Sequence, residues 1–171
     1  AAAELLEAPW PDADRARFAA SIGSQSRRMA TMVDKLLALA EVEHRQRIER
    51  PEAVDMATLA SEVVDDAASH AQARRVRVEV DADNGMPLLP GDPFLLRRML
   101  ANLVDNAIDF SPADGMVEVR LQVRGDARSI EVAERGPGIP DYARERVFER
   151  FYSLPRPEGG NRSSGLGLNF V

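Results

Sequence analysis

Three polar side chains share one face of a predicted helix and could hold a metal ion. Asn102, Asn106 and Asp109 stand four and three residues apart, so at about 100° per residue they project from one side of an α-helix. An amide oxygen is a neutral, hard ligand that suits Mg²⁺, whose other ligands are waters and phosphate oxygens. Taken alone, Asn102 and Asn106 are more typical of solvent-facing residues or of local hydrogen-bond formers.

A carboxylate at the end of a strand-like run could recognise a flat polar ligand. Glu134 follows the run SIEVA and precedes two glycines, Gly136 and Gly138. The carboxylate can accept hydrogen bonds from an amine or from water, and the glycines let the backbone approach a planar ligand because no Cβ intervenes. Taken alone, a tight turn explains the same residues.

A second glycine pair could bind an anion. Gly165 and Gly167 precede an apolar run that could open a helix. Successive backbone N–H groups there would point at an anion, and the helix dipole would favour the charge of a phosphate. A glycine-rich turn without a ligand is the alternative interpretation of this segment.

The composition indicates a globular chain and excludes several classes of site. The 171 residues are 44% hydrophobic and 29% charged, with a net charge of −6 and no cysteine. The net charge argues against a nucleic-acid partner held mainly through its phosphates. Disulfides, thiol nucleophiles and thiolate metal sites are excluded. The apolar runs are too short to cross a bilayer and no signal peptide is evident, so we expect this chain to be soluble.

Residues 1–50 are predicted to form helices that pair with another copy of the chain. A narrow apolar seam follows the predicted long helix at spacings of three and four, interrupted at Gln25. Such a seam favours an antiparallel hairpin that forms a dimeric four-helix bundle; a single helix lying on the main domain is the alternative. The seam residues are Phe18, Ile22, Met29, Met32, Leu36 and Leu39.

Residues 51–171 are predicted to form an α+β layer with helices on one face of a sheet. The expected order is a helix from Met56, a strand with Val76, Val78 and Val80 inward, a loop, a helix capped by Asp92, a β-hairpin and a short helix. In the short helix DYARERVFERFY, the spacing of Phe148 and Phe151 predicts a core anchor for a mobile segment.

Four stretches in order resemble a known family. NLVDNAIDFSP, ERGPGIP, VFERFY and SSGLGL resemble the N, G1, F and G2 boxes of the sensor histidine kinases, within the group that also contains gyrase, Hsp90 and MutL ATPases. The resemblance covers about the last 120 residues and implies a two-layer α/β sandwich, the Bergerat-type ATP-binding fold, with ATP and Mg²⁺ as cofactors. The earlier helices resemble the end of a dimerisation and histidine-phosphotransfer hairpin.

The resemblance also implies roles for individual residues. Asn106 would ligate Mg²⁺, Asn102 would help to hold the phosphates, and Glu134 would meet the adenine amino group directly or through water. Gly136 and Gly138 would line the base pocket, and residues 141–164 would form a lid over ATP. The implied nucleotide-binding set also includes Asp109, Phe110, Ile139, Arg162, Gly165, Leu166, Gly167 and Leu168.

The chain departs from the family pattern in two kinds of position. Glu134 stands where the family normally has Asp, which shifts the acceptor by about one methylene. The family often has Lys or Arg near the position of Asp109 and Tyr at that of Phe110, and Asp109 would repel phosphate unless it binds a Mg²⁺-bound water. The phosphoacceptor box is absent, and we interpret His44 and His70 as surface or boundary histidines. We therefore expect a fragment that is truncated at both ends.

The leading functional hypothesis is an ATP-dependent protein-histidine kinase portion of a two-component sensor, incomplete for autophosphorylation. The alternatives are a gyrase-like or Hsp90-like ATPase, whose helix box begins with a Glu that activates water where this chain has Asn102, and a non-catalytic dimerisation module. The expected partners are a second copy of the chain and a response regulator receiver domain, with no nucleic acid. The full-length protein is expected to be anchored in the bacterial inner membrane, with this portion on the cytoplasmic side.

Overall fold

The computed structural model describes residues 12–44, 51–83, 87–125, 127–150, 152–154, 165, 167, 168 and 171. The chain divides into two compact units, Ala1–His44 and Arg45–Val171. Among the described residues, no helix is both long enough and apolar enough to span a membrane.

The first unit contains one long helix. Helix α1 spans Asp12–His44, 33 residues, or about nine turns, which confirms the predicted helix. Ile22, Met29 and Val33 are exposed on it, and Met29 is 70% exposed. The side chains of Leu36 and Leu39, two of the predicted seam residues, lie outside the described residues. The segment before residue 12, where the other helix of the hairpin is predicted to end, also lies outside them. The pairing of this helix with a partner stays a prediction.

The second unit is a two-layer sandwich of two helices on a three-stranded sheet. Its helices are α2 (Met56–Arg74) and α3 (Pro93–Phe110). The sheet has the order β2-β4-β5 (Arg77–Ala82, Met116–Arg124 and Ala127–Ala133), with β2 parallel and β5 antiparallel to β4. Two short strands, β1 (Glu52–Val54) and β3 (Leu89–Gly91), pair antiparallel with each other.

Alternation along β4 separates the two faces of the sheet. Val117, Val119 and Leu121 are fully buried in one cluster with side chains from α2 and α3. The intervening Arg120 lies on the other face, where it forms ion pairs with Glu118 and Glu131. One face is therefore the core and the other is polar, as the alternating sequence predicts, and the predicted α+β sandwich is confirmed.

Both helices of the sandwich begin at an aspartate cap. The Asp92 carboxylate accepts hydrogen bonds from the N–H groups of Phe94 and Leu95, at 2.9 and 3.3 Å, and Pro93 occupies the first helical turn. Asp55 caps α2 in the same way. Such caps satisfy N–H groups that have no partner within the helix. The predicted start of α3 at Asp92 and its end at Ser111 are confirmed.

The sequence missed two strands and overpredicted a helix. Strand β3 lies in a segment that was predicted to be a loop, and three residues are too few to show an alternating pattern. The segment predicted as the helix DYARERVFERFY forms a single 3₁₀ turn at Asp141–Ala143 followed by hydrogen-bonded turns. Of its described residues only Ala143 is buried, so the segment lacks the apolar stripe that stabilises a surface helix.

The prediction of a core anchor is wrong for Phe148, whose side chain is 55% exposed. Phe151, the other residue of that prediction, lies outside the described residues.

Charged side chains tie α2 to α3 at two places. Arg97 of α3 pairs with Asp66, at 3.0 Å, and with Glu62. Further along, Nδ1 of His70 lies 3.1 Å from Oδ1 of Asp105, and its Nε2 lies 3.3 Å from Oδ1 of Asp109. His70 is therefore a boundary residue, as predicted, but it has two specific partners.

The two carboxylates stabilise the protonated form of His70. The hydrogen bond with Asp105, and then the one with Asp109, raise the pKa of His70 from 6.5 to about 9, against the opposing effect of burial. With both ring nitrogens facing carboxylate oxygens, the ring must donate from both, which only the cation can do. His70 therefore carries a positive charge at neutral pH.

This pKa shift predicts a pH-dependent stability. Because the folded pKa lies above the unfolded value, the stabilisation is fully present below about pH 6.5 and is lost as the pH rises through about 9. Urea denaturation of the wild type and of His70→Gln at pH 6, 7.5 and 9.5 should show a difference in unfolding free energy that shrinks with pH. A difference that stays constant across this range would contradict the cationic bridge.

Candidate functional site

A cavity of about 220 Å³ lies between α3, the turn after β5 and the glycine-rich segment near residue 167. Four residues of α3 line it on one side. Val132, at the end of β5, and Tyr152, after the 3₁₀ turn, line other parts of the wall. The α3 residues are Leu103, Asn106, Ala107 and Phe110.

Asn106 presents a buried amide without a partner to this cavity. Within the described part of the chain, its Nδ2 is buried and has no hydrogen-bond acceptor. A buried polar group of this kind is rarely left unpaired in a folded protein. The amide is therefore available to a ligand that reaches it through the cavity.

Asn102 lies one helical turn earlier and is fixed by the helix itself. Its Nδ2 donates to the carbonyl oxygen of Arg98 at 2.8 Å, and the residue is 9% exposed. This hydrogen bond directs the amide nitrogen back along α3 and leaves Oδ1 on the side of Gly167. Asn102 thus lies next to Gly167 but does not line the cavity.

Gly167 packs directly on these two amides. A Cβ at Gly167 would lie 3.2 Å from Nδ2 of Asn106 and 3.7 Å from Oδ1 of Asn102. Gly165 has a φ of +66°, in the left-handed region that favours glycine. Gly165, Gly167 and Leu168 all line the cavity, which brings the predicted phosphate-binding turn next to the predicted metal ligand. Arg162 and Leu166, from the same prediction, lie outside the described residues.

The turn after β5 is held against the end of α3 by a contact that only glycine permits. A Cβ at Gly136 would lie 2.3 Å from the carbonyl oxygen of Phe110, far inside van der Waals contact. Gly136 itself is not part of the cavity wall, whereas Gly138, with a φ of +71°, and Ile139 line it. The close approach positions the half-buried Glu134 in the wall. The turn and the carboxylate thus belong to one arrangement.

An apolar part of the wall was not predicted from the sequence. This part consists of Leu103 and Ala107 of α3, Val132 of β5, and Val147 and Leu154 of the segment after the 3₁₀ turn. Apolar walls with a few converging polar groups are typical of small-molecule sites. The helical spacing of Leu103 and Ala107 could have indicated this wall; nothing local marks Val147 or Leu154.

Asp109 does not line the cavity. Its side chain is 13% exposed and faces His70 of α2, and its backbone carbonyl accepts a hydrogen bond from Arg74 at 3.2 Å. Of the predicted set, the cavity therefore unites Asn106, Phe110, Glu134, Gly138 and the described glycine-rich residues. Ile139 of the predicted set also lines the cavity, whereas Asn102, Gly136 and Asp109 do not.

The residues present fit a magnesium nucleotide better than a metal ion held by protein groups alone. Among the described residues, no three His, Asp or Glu side chains cluster in a way that could bind a metal. A single amide ligand suits Mg²⁺ when phosphates and water supply the other oxygens. The unpaired Nδ2 of Asn106 can donate a hydrogen bond to a phosphate oxygen, and its amide oxygen is the atom that could ligate Mg²⁺.

Comparisons with known proteins identify the family of the chain. Residues 91–171 match the family model described as histidine kinase-, DNA gyrase B-, and HSP90-like ATPase. The chain is 41% identical over 170 residues to the sensor protein CreC of Escherichia coli, covering 99% of this chain and 35% of CreC. The chain thus spans about a third of that relative.

Two solved structures have a similar fold. The mycobacterial sensor histidine kinase MprB is 37% identical, with a TM-score of 0.54, and the similarity covers 71% of this chain and 75% of that one. Full-length ShkA, solved in complex with AMPPNP, is 25% identical with a TM-score of 0.71, over 91% of this chain and 32% of ShkA. With these similarities and the four boxes in order, the chain belongs to the sensor histidine kinases, within the histidine kinase-, DNA gyrase B- and HSP90-like ATPases.

Proposed function

We propose that this chain binds Mg²⁺ and ATP in the cavity beside α3 and is the kinase portion of a sensor that transfers the γ-phosphoryl group to a histidine. The observation that carries the proposal is that Gly167 packs beside the unpaired Nδ2 of Asn106 in the wall of one cavity. The AMPPNP in the ShkA structure is a nucleotide of the expected kind.

Each element of the wall has a role in this proposal. Asn106 would ligate the metal, Asn102 would support the phosphates, and the backbone at Gly165 and Gly167 would approach them without a Cβ in the way. Glu134 would accept a hydrogen bond from the adenine amino group, and the apolar wall that includes Ile139 would cover the base.

The chemistry that follows from these residues is positioning and charge neutralisation. Bound Mg²⁺ would offset the charge of the phosphates during transfer. The described cavity wall needs no nucleophile of its own, because the acceptor is a histidine on another segment. What the chain supplies is orientation of the nucleotide and exclusion of water by Leu103, Val147 and Leu154.

A gyrase-like or Hsp90-like ATPase is the less favoured alternative. Such an enzyme needs a carboxylate that takes a proton from the attacking water. At the corresponding position this chain has Asn102, whose amide nitrogen is hydrogen-bonded to the Arg98 carbonyl. A neutral amide cannot take a proton from water, so this position lacks the base that such a reaction needs.

The partners and location follow from the same proposal. The exposed apolar residues of α1, including Met29 and Val33, are suited to a homodimer formed through helices. A response regulator would receive the phosphoryl group. ATP and such a regulator would meet this portion on the cytoplasmic side of the bacterial inner membrane, with the full-length protein anchored in it.

Replacing the metal ligand should weaken nucleotide binding. We expect Asn106→Ala to lower the affinity for Mg²⁺-ATP by about ten-fold or more, or about 1.4 kcal/mol, because the amide that faces the ligand is lost. Isothermal titration calorimetry would measure it. Gln122→Ala removes a half-buried amide of β4 that is hydrogen-bonded to Arg124 outside the cavity, and this variant should bind ATP as the wild type does. Equal affinities for all three proteins would contradict the assignment.

A methyl group at Gly167 should act on the ligand more than on the fold. Its Cβ would crowd the Asn106 amide, so we expect Gly167→Ala to reduce ATP affinity by about ten-fold. Gly125→Ala, in the open hairpin turn with a φ of +62°, is the matched control and should cost only about 1 kcal/mol of stability. Titrations and thermal melts of both variants separate the two effects. A Gly167→Ala variant with wild-type affinity would contradict the close approach.

Transfer itself can be tested with radiolabelled ATP and a separate helical domain that carries a phosphoacceptor histidine. Acid-labile label on that domain supports the kinase. Release of free phosphate without protein label would support the ATPase instead.

A further inference from the structure

One charged cluster of the second unit borders the proposed nucleotide site without being part of it. His70 of α2 lies between two carboxylates of α3, 3.1 Å from Asp105 and 3.3 Å from Asp109. The Asp105 side chain is largely exposed, whereas that of Asp109 is 13% exposed. Asp109 is therefore the carboxylate that depends more on a partner within the protein.

Asp109 is close to the cavity along the helix. It follows Asn106 by three residues and directly precedes Phe110, and both of these line the cavity. Side chains three apart on a helix are neighbours, with Cβ atoms about 5–6 Å apart. A carboxylate that turned from α2 toward Asn106 would therefore place a negative charge beside the proposed phosphate position.

His70 opposes that movement in two ways. Its Nε2 hydrogen bond directs the Asp109 carboxylate toward α2. Its positive charge offsets part of the negative charge that the two aspartates bring to this end of α3. Arg74, one turn further along α2, donates to the backbone carbonyl of Asp109, which adds a second contact from α2 at the same point.

We infer that His70 is a positioning residue for nucleotide binding: it holds the Asp109 carboxylate away from the cavity and offsets its charge, so that a triphosphate can bind beside Asn106. This inference rests on the proposed function. It explains how the site accommodates an acidic residue where a phosphate would be repelled. The effect of His70 on affinity should therefore depend on the phosphates of the ligand and not on its base.

The other ionic contact between the same helices provides a control. Arg97 joins α3 to Asp66 and Glu62 of α2, and none of these three residues lines the cavity. If His70 merely fastened the helices together, removing either contact would have the same kind of effect. A positioning role predicts different effects.

The test compares His70→Gln, Asp109→Asn, the double variant and Arg97→Gln by calorimetric titration at pH 7 with Mg²⁺-ATP and with adenosine. We expect His70→Gln to weaken Mg²⁺-ATP binding by about five-fold or more, and adenosine binding by less than two-fold, because only ATP carries the phosphates. Asp109→Asn in the His70→Gln background should restore most of the loss. Arg97→Gln should lower the melting temperature and leave both affinities unchanged.

Several results would overturn the inference. Wild-type ATP affinity in His70→Gln would do so and leave the proposed function intact, as would an equal loss for ATP and adenosine that Asp109→Asn does not restore. If His70→Gln does not fold, Asp109→Asn alone decides: a ten-fold loss of ATP affinity would show that the carboxylate assists binding and contradict the inference, whereas unchanged or tighter binding supports it. A wild-type chain that binds adenosine but not Mg²⁺-ATP, or neither, would overturn both proposals.

Discussion

Burial of one side of α3 is the constraint on which the site depends. Leu100, Val104 and Ile108 are completely buried against the sheet and α2, and their spacing of four residues fixes the rotation of the helix about its axis. Asn102 and Asn106 project in a different direction, so the same rotation places them at the glycine-rich segment. A change in core packing that rotated α3 would move both amides away from the cavity.

Two glycines convert this helix into one wall of a cavity. Gly136 lets the turn after β5 reach the last carbonyl of α3, and Gly167 lets the other turn reach the amide of Asn106. A Cβ at Gly136 would overlap the Phe110 carbonyl oxygen, whereas a Cβ at Gly167 would crowd the Asn106 amide. The cavity is thus closed at two points along a single helix, which ties the position of Glu134 to that of the amides.

The sequence predicted the elements better than their contacts. Periodicity and the caps located α2, α3 and the hairpin, because helical and alternating patterns are local properties. Periodicity failed to locate β1 and β3, because these three-residue strands are defined only by pairing across 35 or more positions, such as Val54 with Leu89 and Glu52 with Gly91. The sequence also mispredicted residues 141–150. Their charge and aromatic spacing indicate a helix, but this segment has no apolar core against which a helix could pack.

For the site, residue types were informative and orientation was not. The paired glycines and the amides were predicted from spacing and from resemblance to a family, and the cavity unites most of them. The direction of Asp109 could not be predicted, because it is set by His70, 39 positions away in sequence. The close approach of Gly136 to the backbone carbonyl oxygen of Phe110 is likewise a contact between distant segments. Such contacts form only in the folded chain, so the local sequence does not predict them.

The most direct test of the account is a crystal structure of the chain with Mg²⁺ and a non-hydrolysable ATP analogue. The account predicts phosphates in the cavity beside Asn106 and Gly167, a metal ion on the Asn106 amide oxygen, and the adenine amino group at Glu134. Density for the nucleotide on another surface, or phosphates that leave Asn106 without a contact, would contradict it.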